Sequence, residues 1–328
     1  MRRVVRLVAL SVVMAGWLAF PASGLTQVVA LCSDHEPATL VGTPGADVLT
    51  GTVGRDVIVA FGGDDVIRGL GGNDVVCGGD GRDRIEGGGG SDRLFGGHGD
   101  DVILGQRSRS QDLAVGGRGD DRILGGAGSD FLLGGQGRDL ISGGARDDTI
   151  LGGPGDDDLR GGETADLIVL DAGDDSIRGG RGIDTITTSF TNRLPITINL
   201  TTGVGLFDGG RDRLHQIEDV FVGGIPTTVV GTDGPNTINV FGPASIRGRG
   251  GDDVIVTHAD DDHVFGGRGN DSVDGGDGND SLAGGPGADI LKGGSGDDTL
   301  DGGPDIDTLH GGSGTDTCTN GETLFSCP

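Results

Sequence analysis

Between Gly266 and Asp301 the chain reads GGRGNDSVD, GGDGNDSLA, GGPGADILK and GGSGDDTLD without a gap. Nine residues recur: glycine in columns one, two and four, aspartate in column six, and an aliphatic residue (Val273, Leu282, Leu291, Leu300) in column eight. Three glycine columns require positive φ or close backbone approach, so half of each unit is a tight turn. The other half, such as Asp280 to Ala283, is predicted to be a strand of three or four residues with its one large apolar side chain on a single face. One such residue per unit cannot form a core by itself. Stacked units can, because a solenoid sets each column-eight side chain above its equivalent and makes a continuous apolar stripe.

The acidic column is chemically selective. Only Glu36, Glu86, Glu163, Glu218 and Glu322 are glutamates, and every other acidic residue is aspartate. Solubility would be served by either side chain. A short carboxylate can reach back into its own glycine turn, where carbonyl oxygens also point, and such a hard-oxygen environment suits calcium. The pattern G-G-x-G-x-D-x-U-x resembles the calcium-binding nonapeptide repeats of RTX proteins. That resemblance covers most of the chain after residue 41 and implies an all-β, right-handed parallel β-roll or β-helix solenoid with two units per coil. It also implies Ca2+ ions shared between aspartates eighteen residues apart on one side, such as Asp271 with Asp289, Asp280 with Asp298, Asp121 with Asp139 and Asp139 with Asp157.

A first array places aspartates at nine-residue intervals from Asp47 to Asp184, with one step of eleven between Asp101 and Asp112. There GQRSRSQD replaces a glycine turn and is expected to bulge outward without binding calcium. Complete turns end at Asp83, Asp92, Asp101, Asp121, Asp130, Asp139, Asp157 and Asp184, while GTPGAD, GTVGRD, AFGGDD, GGARDD, GGETAD and LDAGDD are degenerate. A second array runs unbroken from Asp253 to Asp316, with complete turns ending at Asp271, Asp280, Asp289, Asp298 and Asp316. These aspartates, together with Asp148, Asp175, Asp253 and Asp307 from incomplete turns, are the expected metal ligands. One unit, THADDDHVF, lacks glycine altogether and reads as a decayed, solvated turn rather than as a metal site built on His258 and His263.

Residues 1–30 read as a secretory signal peptide. Arg2, Arg3 and Arg6 precede an apolar run from Leu7 to Phe20, with cleavage expected after Gly24 or Ala30. The apolar run is shorter than the ~20 residues that span a bilayer. Cleavage takes the net charge from −27 to about −30. That charge repels nucleic acid and anionic lipid, and with few aromatic residues it would suggest disorder unless divalent cations neutralise it. Residues 31–187 are expected to hold an N-terminal cap and the first array, residues 188–247 a spacer, and residues 248–328 the second array with its C-terminal cap. In the spacer Ile196, Ile198 and Leu200 alternate as in a half-buried strand, Thr202-Gly203 reads as a turn, and Leu214, Ile217 and Val220 continue a sparse apolar column. The spacer is expected to add β-helical coils without calcium, a separately folded insert being the alternative. Four cysteines allow three pairings. Cys318 with Cys327 would close the terminal loop, leaving Cys32 to tie the N-terminus to Cys77, both where solenoid ends need caps.

No catalytic motif is present: there is no HExxH, GxSxG, CxxC or GK[ST] loop. The six histidines are scattered, and Arg118-Gly119-Asp120 falls inside the repeat frame. The cleavable N-terminal signal and the cysteines depart from the best-known RTX toxins, which argues against their export route and their toxic role. The expected function is that of a secreted, extracellular, non-enzymatic protein that folds on binding several Ca2+ ions. The alternative is a calcium-dependent adhesin or matrix component with a surface or polysaccharide partner.

Overall fold

Each nine-residue unit folds as one strand and one turn, and successive strands join two sheets alternately. This computed structural model describes residues 37–105, 110–188, 194–223 and 226–327. Residues 1–30, expected to be a signal peptide, Cys32 and residues 106–109 of the GQRSRSQD loop lie outside the described residues. Among those residues every regular element is a strand.

The first sheet has sixteen strands, from Leu40–Val41 to Thr323–Phe325, all in parallel pairs and, outside the spacer, between sequence-alternate elements. Ile58 pairs with Val76, Leu132 with Ile150 and Val273 with Leu291, each eighteen residues on. The GQRSRSQD insertion widens one coil to twenty, so that Leu94 pairs with Ala114 and Ile103 with Ile123. The second sheet runs in the same way from Val48–Thr50 to Thr317–Thr319. The chain is thus a parallel β-solenoid, and no helix in it is long and apolar enough to cross a membrane among the described residues.

Strands are often longer than the motif suggests. Ser272–Asp277 and Ile290–Ser295 each span six residues, because the ladder continues through the paired glycines Gly276 and Gly294. Column eight turns inward. Ile123, Leu132, Ile141, Ile150, Leu159 and Ile168 are fully buried, and they belong to one cluster that extends from Leu49 to Leu309. Burying each such side chain is worth ~1.5–3 kcal/mol, so the fold depends on the stack and not on any one coil.

The spacer belongs to the same two sheets. In the first sheet Thr185–Thr188 pairs with Asp219–Gly223, which pairs with Thr237–Phe241, all in parallel. In the second sheet the order is locally reversed. Ser176–Arg181 pairs with Gly210–His215, which continues through antiparallel Val204–Phe207 and Ile196–Asn199 to Thr227–Val230. Ile196, Ile198, Phe207 and Leu214 from this meander are buried in the main core. Gly203, at φ 66°, makes the turn expected at Thr202-Gly203.

At the C-terminus Cys318 is disulfide-bonded to Cys327, and both pack against the core. Cys77 is also disulfide-bonded, and its expected partner, Cys32, falls outside the described residues. With Val57, Val75 and Phe95, Cys77 forms a second, smaller buried cluster.

Candidate metal centre

The turn Gly284–Asp289, GGPGAD, shows how the repeat builds a cation site. Gly285 and Gly287 have φ of 111° and 142°, a region that favours glycine. Gly284 is needed for a different reason: a Cβ there would run into the Asp289 carboxylate and lie 2.7 Å from the Gly302 carbonyl oxygen one coil on. The aspartate side chain therefore fills the space its own first glycine leaves. Within this space a carboxylate oxygen and a carbonyl oxygen lie together.

Asp289 is 1% exposed and held at two points. Its Oδ1 accepts the Asp271 N–H at 2.7 Å, and its own N–H donates to Asp307 Oδ1 at 2.8 Å. Its Oδ2 is buried and has no hydrogen-bond donor. The same unit repeats along both edges of the solenoid. Asp280 donates to Asp298 at 2.9 Å, Asp121 to Asp139 at 2.8 Å and Asp139 to Asp157 at 2.7 Å, which brings together each pair named from the sequence. One row of the first array runs through Asp83, Asp101, Asp121, Asp139, Asp157 and Asp175, and the other through Asp92, Asp130, Asp148 and Asp184. In the second array Asp253, Asp271, Asp289 and Asp307 form one row, and Asp280, Asp298 and Asp316 the other. All seventeen are buried. Glutamates end one row in each array: the Asp184 N–H donates to Glu218 Oε2 at 2.9 Å and the Asp307 N–H to Glu322 Oε2 at 2.7 Å.

Burial pushes the carboxyls of Asp101, Asp121, Asp148 and Asp157 up, and the carboxylates in adjacent coils push further. Asp101 and Asp148 are raised to about 8, Asp121, Asp157 and Asp253 to about 7, and Asp139, Asp280 and Asp289 to about 6. An unpaired buried carboxylate oxygen is costly, and a hard cation between carboxylates and carbonyls removes that cost. The residues present therefore fit calcium. No three His, Cys, Asp or Glu side chains converge to hold a metal among the described residues, so backbone carbonyls must supply much of any ligand set.

Several positions the sequence reading discounted occupy the same rows. Asp65, Asp74, Asp166 and Asp262 are buried, each with a carboxylate oxygen lacking a donor. So is Asp212, in the spacer, whose Oδ1 accepts the Asp175 N–H at 3.1 Å. The signal for Asp212 was the tetrapeptide Gly209-Gly210-Arg211-Asp212, which lies out of the nine-residue frame. Incomplete turns keep the glycine backbone with other residues: Phe61, Leu70, Arg146, Thr164, Arg249 and Asp305 all have φ between 75° and 87°. Each such residue costs roughly 1–2 kcal/mol, which the surrounding coils impose.

In THADDDHVF the turn residues Ala259, Asp260 and Asp261 are exposed, in keeping with a solvated turn, but its last aspartate is not. Asp262 is fully buried, and His258 and Asp260 take the left-handed positions at φ 68° and 80°. The ring of His258 contacts Asn239 Oδ1 at 3.0 Å and stacks on Phe241, which meets Phe221 edge to face. This short stack on the outside of the first sheet was hidden from the sequence because its members are twenty and seventeen residues apart. Asp56 differs from the rows in the opposite sense: the backbone N–H of Thr52 holds its carboxyl below the usual range.

The role of the first glycine is open to direct measurement. A Cβ on Gly293 would meet the Asp298 carboxylate and lie 2.6 Å from the Gly311 carbonyl oxygen. Gly293→Ala is expected to displace that carboxylate, costing ~1–3 kcal/mol by overpacking. A calcium titration followed by circular dichroism should show a higher midpoint, and an unchanged midpoint would contradict the packing described.

A family model for the RTX calcium-binding nonapeptide repeat (4 copies) matches residues 41–76, 78–107, 110–141, 133–168, 151–186, 245–273, 274–309 and 292–322. No curated protein matches the chain.

Proposed function

The chain belongs to the family of RTX calcium-binding nonapeptide-repeat proteins, and from that premise we propose that it is secreted and folds by loading calcium into its glycine–aspartate turns. One observation carries this reading: in turn after turn a buried aspartate presents an Oδ2 without a donor, as at Asp101, Asp121, Asp139, Asp271, Asp280 and Asp298. The backbone N–H of the preceding coil fixes Oδ1, the first glycine makes room for the carboxylate, and the second and fourth columns bend the chain so that carbonyls face the same space. Bound calcium would supply positive charge between these oxygens. Dissociation constants of ~10⁻⁴–10⁻³ M are expected for an extracellular module of this kind. Residues 1–30 and the cysteines support export, and no catalytic role is assigned.

Native mass spectrometry of the mature chain tests the proposal by counting ions. Several calcium ions per chain are expected at millimolar calcium, with no equivalent loading by magnesium, which demands octahedral geometry and dehydrates reluctantly. A count of zero or one would overturn the reading.

A further inference from the structure

Three turns carry threonine in the second column, where most of the described turns place a residue at positive φ: Gly42–Asp47 (GTPGAD), Gly51–Asp56 (GTVGRD) and Gly231–Asn236 (GTDGPN). Their geometry differs from that of the glycine turns in the same way each time. The Thr43 N–H and hydroxyl donate to Asp47 Oδ2 at 2.6 and 2.9 Å. Thr52 repeats this on Asp56 Oδ2 at 2.6 and 2.9 Å. Thr232 does so on Asn236 Oδ1 at 2.7 and 3.2 Å. Each threonine oxygen also accepts the N–H of the glycine two residues on, which braces the turn. Neither the threonine nor that glycine takes a left-handed φ in any of the three.

GTPGAD and GGPGAD, residues 42–47 and 284–289, differ at one position only. With glycine there, the carboxylate Oδ2 is buried without a donor; with threonine, it accepts two hydrogen bonds. We propose that threonine in the second column decides that a turn takes no cation, its N–H and hydroxyl occupying the oxygen that glycine turns leave for calcium. This rests on the calcium reading above and deepens it by separating two classes of turn. Asn236 fits the cation-free class, since it brings no charge and spends its Nδ2 on the Glu218 carbonyl at 2.6 Å. The placement has a logic: two such turns open the first array and the third precedes the second array. Each array would then start from a turn that closes with the protein's own donors.

Two single substitutions in the full mature chain, with bound calcium counted by native mass spectrometry, test the assignment. Asp56 is buried and passes its N–H to Asp74 Oδ1 at 2.8 Å, so Thr52 sits inside the ladder. Thr52→Gly is expected to bind one calcium more than wild type, and Gly285→Thr one fewer, both with full β-sheet signal at saturating calcium. An unchanged count in Thr52→Gly would overturn the proposal, as would a wild-type count in Gly285→Thr. Should Gly285→Thr fail to fold, Thr52→Gly decides alone, because it only removes atoms. Wild type that loads no calcium would sink the functional reading itself. Wild type that loads many ions beside an unchanged Thr52→Gly would sink this assignment alone.

Discussion

Stripped of divalent cations by a chelator at pH 7.5, the mature chain is expected to lose its β-sheet circular dichroism and regain it steeply on adding calcium. The magnitude follows from the buried carboxyls. Asp101 and Asp148 are raised to about 8, and Asp121, Asp157, Asp166 and Asp253 to about 7. Relative to an ordinary aspartate, keeping one such group in the folded state at this pH costs roughly 4 kcal/mol. A few of these together match a domain's whole stability of ~5–15 kcal/mol. The apolar stripe is one side chain per strand and cannot offset both arrays. Coils share their oxygens with neighbours, so loading should be cooperative. A chain equally structured in chelator and in calcium would contradict this balance.

Acid should substitute for the metal. In the cation-free fold these aspartates hold protons up to about 6–8, whereas in the unfolded chain they release them near 3.8. Between those limits the folded state binds more protons than the unfolded one, so its stability rises as pH falls and is lost as pH rises through 6 to 8. In chelator, the β-sheet signal absent at pH 7.5 is expected to return largely by pH 5. Calcium should change the spectrum far less at pH 5 than at pH 7.5, because protons compete for the same oxygens. A metal-free chain that stays unstructured throughout this range would show that the buried carboxyls are not what opens it.

The period of nine made the solenoid and its acidic rows legible, since column eight and column six are both one-residue signals that stacking amplifies. What the motif hid has physical causes. Strand length was underestimated because paired glycines such as Gly276 and Gly294 continue the ladder despite their low strand propensity. Asp166 and Asp262 fall outside the expected ligands, the latter because its unit has no glycine at all, yet neighbouring coils hold Thr164, His258 and Asp260 in the glycine conformation. Asp212 lies twenty-eight residues beyond Asp184, outside the frame, and reaches its row through an antiparallel meander whose pairings no local pattern encodes. The threonine turns GTPGAD and GTVGRD read as degenerate copies of the motif, yet their hydrogen bonds set them apart from the glycine turns.

The coil-to-coil hydrogen bonds that fix the sixth-column carboxylates point one way along each array, from an aspartate N–H to the carboxylate of the following coil. Every coil therefore displays the amide that grips the carboxylate of the next. The ladder thus carries a direction along the solenoid. Glu218 and Glu322 act as its two stops.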